Sequence, residues 1–70
     1  MINYNKTGKI LSGNFKGWNI KIEDDTQNTG GYYVYTWQSE NPESGYDDWY
    51  ENEEVLMINL RDIEIDWGKE

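Results

Sequence analysis

Asp48-Trp49-Tyr50-Glu51-Asn52-Glu53-Glu54-Val55-Leu56-Met57-Ile58-Asn59-Leu60 reads either as a helix or as a strand, and the architecture of the chain turns on that choice. Asp48 with Glu51 three residues on resembles a capping box, and Glu51, Glu53 and Glu54 suit the positive end of a helix dipole. A helix through about Leu60 would align Trp49, Leu56 and Leu60 in an apolar stripe, with Val55 and Met57 at its edges. The competing reading takes residues 55–60 as a strand, because Val and Ile are at home in sheets, paired through Arg61-Asp62 with residues 63–67. The short charged lead and the capping signal favour the helix.

Downstream, Ile63-Glu64-Ile65-Asp66-Trp67 alternates cleanly and is a strand under either reading. Upstream, Trp18-Asn19-Ile20-Lys21-Ile22-Glu23 alternates too, with Trp18, Ile20 and Ile22 on one face. Lys9-Ile10-Leu11-Ser12 reads as a shorter strand, joined to it as a hairpin through the turn residues of Gly13-Asn14-Phe15-Lys16-Gly17. Tyr32-Tyr33-Val34-Tyr35-Thr36-Trp37 is a third strand, β-branched and aromatic, with Tyr33, Tyr35 and Trp37 on one face. From Gln38 to Asp47 the chain is Ser, Asn, Pro, Gly and acid, the composition of an exposed loop. The expected fold is therefore α+β, a small antiparallel sheet of about four strands with one helix packed on a face, in the order β-β-β-α-β. The alternative is an all-β five-stranded sheet or small barrel. An open edge at the first or the last strand would leave a homodimer available.

Seventy residues make one small domain, near the lower limit for a core without staples. Four Trp, six Tyr and one Phe supply the burial that scarce aliphatics do not. Trp18, Trp49 and Trp67 are expected in the core, and Trp37, Tyr46 and Tyr50 partly exposed. The chain has no Cys, hence no disulfide framework and no thiolate metal site, which suits a reducing cytoplasm. It has no His either, which removes the usual general base and most hydrolytic triads. Asp24-Asp25 and Asp47-Asp48 lack the spacing of a calcium loop and read as a solvated turn and a cap. Gly30-Gly31 precedes a strand rather than a helix and is a turn, not a phosphate cradle. No enzyme activity, no metal and no cofactor is expected. The start lacks the apolar core of a secretion signal, and no run is long enough to span a bilayer.

Charge is polarised along the chain. Residues 1–22 hold four lysines and no acid, whereas residues 23–70 hold all fourteen acids against Arg61 and Lys69, for a net charge of −8. Such a field disfavours nucleic acid and anionic membrane as partners. Seven acids fall between Glu40 and Glu54 with no Lys or Arg among them, and aromatics are interleaved. Aromatics can anchor a partner while carboxylates steer it. The candidate partner-binding residues are Trp37, Glu40, Glu43, Tyr46, Asp47, Asp48, Tyr50, Glu51, Glu53 and Glu54. The partner they imply is a basic protein, such as a toxin or a nucleic-acid-binding protein.

The segments Gly17-Trp18-Asn19-Ile20-Lys21-Ile22-Glu23-Asp24-Asp25, Thr29-Gly30-Gly31-Tyr32-Tyr33-Val34-Tyr35, Gly45-Tyr46-Asp47-Asp48-Trp49-Tyr50-Glu51 and Ile63-Glu64-Ile65-Asp66-Trp67 follow one another in an order that resembles small acidic immunity-type proteins of bacterial toxin and immunity loci. The resemblance covers about residues 17–67 and implies a non-enzymatic inhibitor of a cognate toxin. Two other readings compete with it. One is a carbohydrate-binding module with Tyr33, Tyr35 and Trp37 as a stacking platform. The other is a small structural domain whose acids only keep it soluble.

Overall fold

Ile20 and Ile22 alternate with Asn19, Lys21 and Glu23, and that alternation places them at the centre of the molecule, 1% and 0% exposed in the computed structural model, which describes residues 2–68. They belong to β2, Asn19–Asp25, which pairs antiparallel with β1, Thr7–Ile10, and with β3, Gly31–Gln38. β3 pairs in turn with β4, Asn41–Tyr50, across the tight turn at Ser39-Glu40. A helix, α1, spans Glu53–Leu60, and the two-residue strand β5, Ile65–Asp66, pairs antiparallel with β1. The sheet has five strands in the order β4-β3-β2-β1-β5. The fold is thus a small α+β domain, an open antiparallel sheet carrying one helix.

The expected hairpin forms, with β1 shifted toward the N-terminus relative to Lys9–Ser12. β1 is an inner strand, covered by β5, so the open edges are β4 and the short β5.

The segment Gln38–Asp47, expected as a loop, is mostly strand. Trp37 pairs with Gly45, Tyr35 with Asp47, Tyr33 with Trp49 and Tyr32 with Tyr50, and the register shifts between Trp37 and Gln38. An edge strand keeps one side in water, and Asn41–Trp49 is exposed at every position. It therefore carries no apolar alternation, and its Ser, Asn, Pro and Gly content resembles a loop. Backbone pairing with β3 outweighs that local composition.

The same pairing overturns the expected cap. Asp48 and Trp49 lie in β4, and the helix begins later, at Asn52, whose side-chain Oδ1 accepts the Val55 N–H at 2.9 Å. Asn is among the best capping residues, and Glu53 and Glu54 then sit in the first turn against the positive dipole end. The helix over residues 55–60 stands. Of its expected stripe, Leu56 is fully buried, Leu60 and Val55 are half-buried, and Met57 is 52% exposed. Leu56 completes a core with Ile10, Ile20, Ile22 and Val34, which Tyr4, Trp18, Tyr32, Tyr50 and Trp67 border. Trp18 and Trp67 thus pack where expected. Trp49 does not, because β4 directs it to the opposite face of the sheet.

Candidate functional site

The hydrogen-bond parity of the sheet fixes what its β4 edge presents. Ile10 N–H donates to the Trp18 carbonyl and Asn5 N–H to the Ile22 carbonyl, so alternate residues Trp18, Ile20 and Ile22 turn their backbone toward β1. Asn19, Lys21 and Glu23 then face β3, and in antiparallel pairing the alternation carries across the register to β4. Tyr46, Asp48 and Tyr50 bond to β3. Gly45, Asp47 and Trp49 direct their N–H and C=O groups outward, away from the sheet. The pleat gives each set its own face: side chains of Tyr46, Asp48 and Tyr50 share the helix side with Ile20, Ile22 and Val34, while Asp47 and Trp49 stand on the opposite, open side.

On the open side Tyr33, Tyr35 and Trp37 form a row along β3, as the sequence pattern predicts, and Trp49 extends it onto β4. The Tyr33 and Tyr35 rings stack at 5.7 Å between centroids and 14° between planes. Tyr35 donates its hydroxyl to Glu23 Oε1 at 3.0 Å, and its pKa is raised by desolvation first and by that bond second. Trp49 Nε1 donates to Thr29 Oγ1 at 2.9 Å. The indole lies across Gly31, where any Cβ would collide with its ring and with the Tyr50 carbonyl, so the close approach requires glycine. Trp49 remains 44% exposed.

On the helix side, Tyr46 stacks on Trp18 at 5.8 Å and meets Phe15 edge-on at 5.8 Å, yet stays 59% exposed. The helix covers only part of this face. Beside it opens a cleft of about 480 Å³, lined among others by Ile10, Ile20 and Val34, by Phe15 and Tyr46, and by Asp48. Tyr50 borders it, with its pKa raised by burial first and by the Asp48 charge second.

Five of the ten candidate residues, Glu43, Tyr46, Asp47, Asp48 and Tyr50, lie in the edge strand β4, and the rest are spread over β3, the connections and the helix. Trp37 and Asp47 stand on the open face, and Tyr46, Asp48 and Tyr50 on the helix face. Glu40 occupies the β3–β4 turn, Glu43 lies in β4, Glu51 in the link to the helix, and Glu53 and Glu54 in its first turn. Glu53 is engaged within the chain, accepting the hydroxyl of Tyr4, which also stacks on Tyr32 at 5.5 Å. Sequence reasoning missed Trp49 as a surface residue, and residues 46–50 hold no apolar alternation that would have signalled it.

Asp24 and Asp25 cap their own turn. The Asp24 carboxylate accepts the Thr26 N–H and hydroxyl at 3.1 and 2.7 Å, which lowers its pKa, and Asp25 accepts Asn28 Nδ2 at 3.0 Å. Among the described residues no group of three or more acids is placed to hold a metal ion, and no helix is long and apolar enough to cross a membrane. No protein-family model, curated protein or solved structure matches the chain.

Proposed function

We propose that this chain is a non-enzymatic binding protein of the inhibitor or immunity type, which sets the acidic β4 edge against a basic surface of a partner protein in the cytoplasm. One observation carries the reading: seven acids from Glu40 to Glu54, with no basic residue among them, follow one another along a single exposed strand, the connections at its ends and the first turn of the helix. Their field would speed capture and select against acidic partners, and Trp49 and Tyr46 offer apolar area on either side. The lack of His and Cys supports a binding role over a catalytic one. Proteins that act on nucleic acid carry basic functional surfaces, so a toxin of that kind fits the partner's chemistry. The resemblance to immunity-type proteins points the same way.

The test is affinity capture on the immobilised chain, at low and high salt, with the native protein compared with the Asp47→Lys, Glu51→Lys double variant. Both positions are exposed, so the fold should survive. Capture of one basic protein, weakened by salt and lost in the variant, is the expected result. Retention of the same protein by the variant would overturn the reading.

The open-face row favours a second reading, a saccharide platform, because near-parallel rings beside Glu23 and Asp47 suit sugar stacking with flanking hydrogen bonds. Pull-down on insoluble polysaccharide separates the two. Binding there should be lost in Tyr33→Ala with Tyr35→Ala and be indifferent to the charge reversal.

A further inference from the structure

We infer that the β4 edge is a strand-addition site, and that its occupant is an extended segment of the partner carrying two adjacent Lys or Arg residues. The inference rests on the proposed function, in which the partner is basic. Gly45, Asp47 and Trp49 present their backbone donors and acceptors outward at every second residue, the spacing that another extended chain matches. Past the register shift, the regular ladder runs from Gly45 to Tyr50, six residues or about 20 Å, enough to seat a segment on the order of a typical strand.

Side-chain geometry specifies the charge pattern. An incoming strand continues the pleat, so its residue opposite Asp47 stands on the open face and the next, opposite Asp48, on the helix face. Adjacent basic residues therefore meet one carboxylate on each side of the sheet. Like charges set directly opposite destabilise a sheet. A second copy pairing through β4 would bring Asp47 and Asp48 against its own acids, so these residues that guard the edge against self-pairing leave it open to a basic strand. The opposite edge, β5, has only two residues and offers no comparable ladder.

The probe is the acetylated and amidated peptide Thr-Val-Thr-Arg-Lys-Val-Thr-Val, titrated into the full chain by calorimetry and by amide hydrogen exchange. It is compared with a synthetic chain N-methylated at Asp47. That change keeps the carboxylate, and because this N–H points away from β3, it removes no bond within the sheet. The native chain should bind, with new protection at the amides of Gly45, Asp47 and Trp49, and the N-methylated chain should bind at least tenfold more weakly. Equal binding by both chains would overturn the inference, as would binding without protection at those three amides, or no binding to the native chain. The basic-partner reading fails separately, in the charge-reversal comparison, since N-methylation leaves every acid in place.

Discussion

Tyr4 shows how a single side chain ties the N-terminal segment to the helix. Its ring stacks on Tyr32, and its hydroxyl donates to Glu53 in the first helical turn. Burial, then the Glu53 bond and charge, hold its pKa well above the ordinary tyrosine value. As pH rises past about 10, the unfolded chain releases a proton that the native chain retains, so this contribution is complete below that pH and is lost above it. Tyr4→Phe should lower stability at pH 7 by about 0.5–1.5 kcal/mol. It should also reduce the further loss between pH 9 and pH 11, as read by urea unfolding at each pH. An alkaline loss identical in native and variant chains would contradict the assignment. Gly31 is a second residue with a distinct demand. Gly31→Ala should cost about 1–3 kcal/mol through overpacking and shift Trp49 fluorescence as the indole is displaced; unchanged emission and melting temperature would show that the ring does not lie there.

At the scale of elements, what could be read from the sequence depended on whether an element buries a face. β2 and β3 did, and their alternation was legible because Ile20, Ile22 and Val34 line the core. The helix was legible over residues 55–60, and Leu56 was correctly placed on its buried side. Its start was not, because Asp48 and Glu51 imitate a capping box while Asn52 supplies the cap. Asn52→Ala should cost about 1 kcal/mol, within the usual range for a lost cap, whereas Asp48→Ala should leave helix stability unchanged. Thermal melts of the two variants measure the difference; equal destabilisation would return the cap to Asp48. β4 was illegible for a physical reason: an edge strand exposed at nine of its ten positions carries no hydrophobic pattern to read.

For the whole molecule, the acids that form one cluster in sequence are spread over the edge strand, its connections and the first turn of the helix. The run of acids and aromatics was legible in the sequence, but its division between two faces was not, since it follows from a strand that composition concealed. Leu56→Ala should cost about 2–5 kcal/mol, because this small core has few residues to share the loss. If the partner binds the edge as proposed, capture should fall in step with the folded fraction of that variant; capture retained after unfolding would mean that unstructured charge suffices.

The acidic edge itself is tested most directly by residue-resolved amide hydrogen exchange of the free chain across residues 41–50. Slow exchange at Tyr46, Asp48 and Tyr50 alternating with fast exchange at Gly45, Asp47 and Trp49 is the expected result. Uniformly fast exchange would make the segment a loop and contradict an open, acidic edge strand.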